Sequence, residues 1–463
     1  MLKLGFVPSH RVPFDMDWAK DMRDRTIRSI RENCGAELIC PDEALTKKGL
    51  VSDEQDAKKT IALFKKNDID ALIIGTMTFG EELPNLIIAE AFSNIPIHLF
   101  GTKEGPFTSD GNRRSDSFCG TISTAAGLNR RNIIFDFSGI FFPEEEEFIE
   151  AVTRFINSSA AYKGFMGAKV GTVGPRPAPF ETCAVNEVKM IQDFRQKIVP
   201  ITLLKLYSDI KGSGQIKEVE DIAGQIENDY DLTKIDKKSL LNMARLEYFL
   251  EKYAKDLGLA GLGIQCWTAM QEEIGVSPCL VMGRLTDKGI MCACEVDVHG
   301  VLTMAVQYNL SEKKEVPHFI DWTIAHQEKE NTFFAWHCGN APISLCREGA
   351  RPLVESHSVL GEMLGTDKSG GTAEFELKEG DVTLCRLAET GGGFKMLIAK
   401  GRTISDSRKL RGSWKWIEVE DLDLLYRTII EEGFIHHASM IFGDQTREAK
   451  LFCKLAGIEA VEI

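Results

Sequence analysis

A chain of 463 residues has room for two to four domains, and its 27% charged and 43% hydrophobic residues are those of an ordinary globular protein. A formal net charge of −14 argues against a nucleic-acid backbone or an anionic membrane as partner. No run approaches the ~20 apolar residues of a membrane span, and no basic-then-apolar leader is expected at the start. Twelve cysteines without C-x-x-C pairs fit reduced thiols in a cytoplasmic enzyme better than a disulfide framework or a structural zinc site.

Residues 1 to about 160 alternate strand-like and helix-like segments. LKLGFVP precedes a helix capped at Asp15 or Asp17 that stops near Gly35, and AELIC follows. A second helix is expected from Ser52 through Ile61, Leu63 and Phe64. IDALIIG and IPIHLFG are near-continuous apolar runs of the kind shown by strands buried on both faces, so the pattern is doubly wound α/β. In the loop Ser109–Gly120, the charges of Arg113, Arg114 and Asp116 suit a polar ligand, a neighbouring subunit or plain solvent equally well.

The Ser/Ala/Gly-rich passage NSSAAYKGFMGAK precedes a fresh strand, KVGTVGPRP, and places a boundary near 165. Asp236 caps a helix that carries Leu240, Leu241, Ala244, Tyr248 and Leu250 and stops at Gly258. LGLAGLGIQCW then puts Gln265 at a strand end, where its simplest role is to satisfy loop backbone groups. From about 345 to 418 Gly-rich turns break alternating apolar runs, the texture of antiparallel strands. Gly391–Gly393 lack the order and the following helix of a phosphate loop, so a hairpin turn is expected. The expected fold is α/β: two doubly wound α/β domains, residues 1–165 and 166–344, then a smaller β-rich, barrel-like domain with terminal helices, residues 345–463.

Two acids stand out. The run ending in CACEVDVHG delivers Glu295, and PHFI delivers Asp321 26 residues later, after a stretch that reads as a crossover helix. That spacing allows both acids to reach the same carboxyl edge of one parallel sheet, where a carboxylate pair holds a divalent cation or moves protons. On spacing alone, acids that cap a helix or end a strand are the simpler reading. His436 and His437 follow a helix stop at Gly433. Neighbours in a strand point to opposite faces, so at most one is expected in a given site.

Together GIQ (Gly263–Gln265), ACEVDVHGVLTM (Ala293–Met304), FID (Phe319–Asp321) and HHASMIFGD (His436–Asp444) resemble the L-fucose isomerase and L-arabinose isomerase superfamily along the whole chain. The resemblance implies a metal-dependent aldose–ketose isomerase acting on a free sugar such as L-fucose, L-arabinose or D-arabinose. It assigns Glu295, Asp321 and His437 as ligands of Mn²⁺ or another divalent cation, with the two acids also as catalytic proton carriers. It assigns Gln265, His337 and His436 to the substrate. His337 also resembles a position that ligates metal in the arabinose isomerases.

The resemblance further implies a homo-oligomer, trimer or hexamer. Met77 stands where the fucose isomerases place an aromatic residue, and Val7 where they place an Arg, with Arg11 as a substitute. The sugar is therefore not named by the resemblance. A non-catalytic cytoplasmic sugar-binding or regulatory protein is the alternative. A nucleotide-dependent oxidoreductase ranks below it, because GFVPSH replaces a G-x-G-x-x-G after the first strand.

Overall fold

Five parallel strands form the first sheet: β1 (Lys3–Ser9), β2 (Glu37–Ile39), β3 (Ala71–Thr76), β4 (Ile97–Thr102) and β5 (Asp136–Phe141), in the order β2-β1-β3-β4-β5. A computed structural model describes residues 1–406 and 408–463. β3 and β4 are buried at every position, as their continuous apolar runs require when helices cover both faces. The helix Met16–Asn33 begins at Asp15, whose side chain accepts from the backbone N–H groups of Asp17 and Trp18. Asp53 caps the next helix, Glu54–Asn67, one residue beyond the expected Ser52 start.

These elements belong to a compact unit of Met1–Lys163 with Lys454–Gly457. Its loop charges are paired locally: Arg113 with Asp116 at 2.9 Å, Arg114 with Asp15 at 2.8 Å, and Arg11 with Glu81 at 3.0 Å. Met77 is buried.

The second unit, Gly164–Cys453 with Ile458–Ile463, holds two sheets. The smaller is parallel, with β6 (Lys169–Val173), β7 (Lys197–Ile201), β8 (Gly261–Ile264) and β9 (Met291–Cys294) in the order β7-β6-β8-β9. The larger has nine strands: β10 (His318–Ala325), β11 (Thr332–His337), β12 (Leu353–Ser356), β13 (Gly370–Glu376), β14 (Asp381–Thr390), β15 (Gly393–Ile404), β16 (Ser413–Val419), β17 (His437–Phe442) and β18 (Glu459–Glu462). Their order is β12-β13-β16-β11-β10-β17-β14-β15-β18, with β15 also paired to β16. Gly391 and Gly392, at φ 59° and 90°, turn the β14–β15 hairpin, where positive φ favours glycine. Among the described residues no helix is long and apolar enough to cross a membrane.

One sequence expectation fails here. The helix Val298–Leu310 does follow Glu295, but β10 does not rejoin the sheet of β9; it lies antiparallel between β11 and β17. The reason lies downstream of Asp321. Only a short connection separates β10 from β11, enough for an antiparallel pair but too little for a parallel crossover. The larger sheet therefore takes strands from both sides of residue 344.

Candidate metal and substrate site

Glu295 stands one residue beyond β9, at the carboxyl edge of the parallel sheet. Its φ is 54° and that of Val296 is 60°, so two consecutive non-glycine residues sit in the left-handed region. Such residues cost on the order of 1–3 kcal/mol each and persist where the surroundings over-determine them. Hydrogen bonds from Val296 N to Ile264 O (3.3 Å) and from Asp297 N to Cys294 O (2.9 Å) hold this turn. Asp297 then caps the helix Val298–Leu310 by accepting from Gly300 N at 2.9 Å. The strained turn thus buries the Glu295 carboxyl at the sheet edge, where it is 6% exposed.

The register of the larger sheet supplies the rest. Asp321 on β10 lies directly across from His437 on β17, and across from Trp336 on β11, whose next residue is His337. His437 Nε2 is 2.7 Å from Glu295 Oε2 and 3.7 Å from Asp321 Oδ1. His337 Nε2 is 3.9 Å from Asp321 Oδ1, and His436 Nε2 is 3.8 Å from Glu295 Oε2. Despite these approaches, Glu295 Oε2, Asp321 Oδ1 and His337 Nε2 are buried without a hydrogen-bond partner. His437 Nε2 thus stands close to Glu295 Oε2 without satisfying it, as two ligand atoms aimed at a shared point would. Buried carboxylate oxygens left unpaired are costly. Two groups of close donors meet here, Glu295 with His436 and His437, and Asp321 with His337 and His437, so that His437 belongs to both; carboxylate and imidazole without a thiolate suit Mn²⁺ or a similar divalent cation.

A third cluster, Cys183 with Asp297 and the far side of His437, does not fit a cation. Arg386 already bonds both oxygens of Asp297, Nη2 at 3.1 Å from Oδ1, and its guanidinium takes the place a metal would need.

Hydrogen bonding separates the roles of the two buried histidines. His437 Nδ1 is 2.8 Å from Asp297 Oδ2, an atom that only accepts when ionised, so Nδ1 carries a proton, and Nε2 offers a lone pair toward the acids once a cation displaces its own proton. In His337 the relation is reversed. Its Nδ1 accepts from Cys338 N at 2.8 Å, so in the neutral ring Nε2 carries the proton and faces the site as a donor. The first pattern suits a metal ligand and the second a contact to a sugar oxygen.

The charges agree with this division. Burial alone would raise the Glu295 carboxyl, but His436 and His437 outweigh it and bring the pKa to about 2. Burial likewise opposes ionisation of Asp297, yet the Arg386 charge and His437 hold it well below the usual carboxylate range. Burial disfavours a charged His437, but Asp297, Cys183 and Glu295 push its pKa well above the ordinary value. Burial lowers His337.

A carboxylate depressed in the folded state adds stability that is present above its unfolded pKa and lost as pH falls through the folded one. For Glu295 that window runs from about 4.5 down to about 2. In the metal-free protein Glu295→Gln is expected to remove up to roughly 3 kcal/mol of this acid dependence. Urea unfolding at pH 5 and pH 3 checks it. An equal loss in wild type and variant would contradict the assignment.

Gln265, one residue beyond β8, shares the sheet edge with Glu295. Its Oε1 is buried without a partner and its Nε2 donates to Trp267 O at 3.3 Å. The expectation that only one of His436 and His437 enters the site is corrected: both approach Glu295, their rings 3.9 Å apart. His436 precedes the first residue of β17, so strand alternation does not govern it. Sequence reading missed Asp297 and Arg386, and also the loop after β6, whose Phe180 stacks on His436 and meets Trp267 edge-on while Cys183 lies 3.9 Å from His437 Nδ1. Asp297 carried a signal, an acid two residues after Glu295 at a helix start. Its partner, 89 residues away, did not.

An α/β scaffold with a carboxylate–imidazole centre at the junction of two sheets is the class of protein that fold and site define. Residues 5–166 match the N-terminal domain of fucose/sulfoquinovose isomerases, and residues 335–463 match the L-fucose isomerase C-terminal domain. The chain is 25% identical over 451 residues to a sulfoquinovose isomerase of Priestia aryabhattai, covering 95% of this chain and 94% of that one. It is 26% identical over 470 residues to a sulfoquinovose isomerase of Alkalicoccus urumqiensis, covering 100% of both. The protein belongs to the L-fucose isomerase-like family and is an aldose–ketose isomerase. This favours the enzyme over the sugar-binding alternative.

Proposed function

We propose that the chain interconverts an aldose and its ketose through an enediol, using a divalent cation, Mn²⁺ for preference, held by Glu295, Asp321 and His437. One observation carries the reading: Glu295 Oε2, Asp321 Oδ1 and His437 Nε2 converge from two sheets, and neither carboxylate oxygen has a hydrogen-bond partner. When bound, the cation supplies Lewis-acid polarisation of two adjacent sugar oxygens.

The chain's own residues do the rest. Glu295 and Asp321 are the bases: the proton on C2 leaves to a carboxylate and is returned to C1, while the hydroxyl proton passes from O2 to O1. The flanking histidines outweigh burial, keeping Glu295 ionised and so ready to accept. Nε2–H of His337 donates to a sugar oxygen, and Gln265 and His436 orient the remaining hydroxyls. Phe180, stacked on His436 and backed by Trp267, keeps bulk water from the reacting carbons.

The relatives' name makes sulfoquinovose, glucose carrying a sulfonate in place of its C6 hydroxyl, the first substrate to test. L-Fucose, L-arabinose and D-arabinose are the neutral comparisons. The circuit of pairings β16-β11-β10-β17-β14-β15-β16 supports reading the larger sheet as a closed barrel. We read the protein as a cytoplasmic homo-oligomer, consistent with twelve unbridged cysteines, and retain the division near 165, while the shared larger sheet speaks against the one near 344.

Exhaustive chelation is expected to lower turnover at least ~100-fold, and Mn²⁺ to restore it. Ketose formation from each aldose, followed by NMR, checks this. Full activity after chelation, or no ketose from any aldose, would sink the reading.

A further inference from the structure

The loop after β6 carries a cation that nothing among the described residues neutralises. Parallel pairing sets the ends of β6, β8 and β9 side by side, so Arg176, Gln265 and Glu295 follow three neighbouring strand ends. Gly174, at φ 81°, lies so close to Gln265 that a Cβ there would stand 2.4 Å from Oε1. Four residues beyond Arg176, Phe180 stacks on His436. The arginine is thus bracketed in sequence by two residues that touch the site.

Its guanidinium is anomalous. Nη1 is buried without a partner, and Arg176 makes no hydrogen bond or ion pair among the described residues. Arg245 and Arg386 also leave an Nε unpaired, but each bonds elsewhere, to Asn242 and Asp297. A buried donor of a charged group left unmade is expensive, which makes this guanidinium, beside the site, a candidate to meet a ligand. Pro175 and Pro177 flank the arginine, and Pro179 follows, in PRPAP. Fixed φ at the prolines and restricted residues before them make the loop stiff, which lowers the entropy lost on binding.

The geometry points to Arg176 as the anchor for a tetrahedral oxyanion at the end of the sugar remote from C1, and to a monoanionic sulfonate as the group it takes. This rests on the isomerase reading and adds to it the residue that selects a charged aldose. A guanidinium presents paired N–H donors to two oxygens of such a group. One cation balances one charge. A phosphate near −2 would leave one negative charge unbalanced at Arg176, so a sulfonate at −1 is the better match.

The test compares wild type, Arg176→Met and Arg176→Lys, all Mn²⁺-loaded, on sulfoquinovose, D-glucose 6-phosphate and the neutral aldoses. Arg176→Met is expected to lower kcat/KM for sulfoquinovose by about 100-fold, mainly through KM, with neutral aldoses changed less than about 3-fold and Mn²⁺ affinity unchanged. Arg176→Lys recovers part of the loss, because it keeps the charge and loses the fork. Equal losses on charged and neutral sugars would overturn the proposal, as would wild type preferring the phosphate or ignoring the sulfonate while turning over a neutral aldose. If no aldose is converted, the isomerase reading fails by itself. Calorimetric titration with sulfoquinovose then decides for Arg176: binding that Arg176→Met abolishes supports the anchor, and binding that survives, or no binding to wild type, removes it.

Discussion

Glu295→Gln and Asp321→Asn are each expected to lower isomerase turnover by at least ~10³-fold while the fold is retained. Each change keeps the size and shape of the side chain and removes the negative charge. An amide binds a divalent cation more weakly than a carboxylate and does not accept a proton from carbon at neutral pH, so both proposed roles fail together. Glu295 is buried at 6% exposure, where Gln remains tolerable because no fixed cation depends on it once the imidazole of His437 turns neutral. Turnover with saturating Mn²⁺, alongside circular dichroism and thermal unfolding, is the measurement. Near-wild-type turnover in either variant would remove that acid from the chemistry.

Asp297→Asn is expected to be the most damaging change outside the proposed ligands. Asp297 is 1% exposed and joins His437 Nδ1 to Arg386, which is itself 2% exposed. Removing its charge strands a buried guanidinium, for which a loss of about 3–5 kcal/mol in stability is expected. It also frees the imidazole. An asparagine amide can donate to Nδ1 as readily as its oxygen can accept, and the donating form selects the tautomer whose Nε2 carries a proton and cannot ligate. Mn²⁺ affinity is therefore expected to fall about 10–100-fold even in the fraction that folds. Urea unfolding reports the first effect and titration followed by Mn²⁺ electron paramagnetic resonance the second. Arg386→Met separates them: it should cost comparable stability while leaving the Asp297–His437 contact, and with it the tautomer, in place. Unchanged metal affinity in Asp297→Asn would show that His437 needs no orienting partner.

The sequence announced local structure better than assembly. Runs such as ALIIGT in β3 are buried at every residue because their lack of alternation left no solvent face. Asp15 and Asp236 cap helices because a short carboxylate before an apolar periodicity has few better partners than free N–H groups, while the helix expected from Ser52 is capped one residue later, at Asp53. The Gly391–Gly392 turn was legible for the same local reason.

What pairs across long separations was not. Asp321 was expected beside Glu295 in one parallel sheet. It comes instead from an antiparallel sheet whose register with His437 depends on strand pairing across more than a hundred residues. The motifs identified which residues to watch, and the tertiary pairing decided how they meet. Arg386 and the loop bearing Phe180 and Cys183 had no motif, since their contribution is only to face residues that do.

The proposed centre requires one cation to draw together two acids from two different sheets and one histidine. Anomalous diffraction from a crystal soaked in Mn²⁺ tests it most directly. A single peak per chain is predicted, bonded to Glu295, Asp321 and His437 Nε2, with His337 beyond bonding distance and Asp297 still on His437 Nδ1. A peak elsewhere, or none at these side chains under saturating metal, would contradict the account.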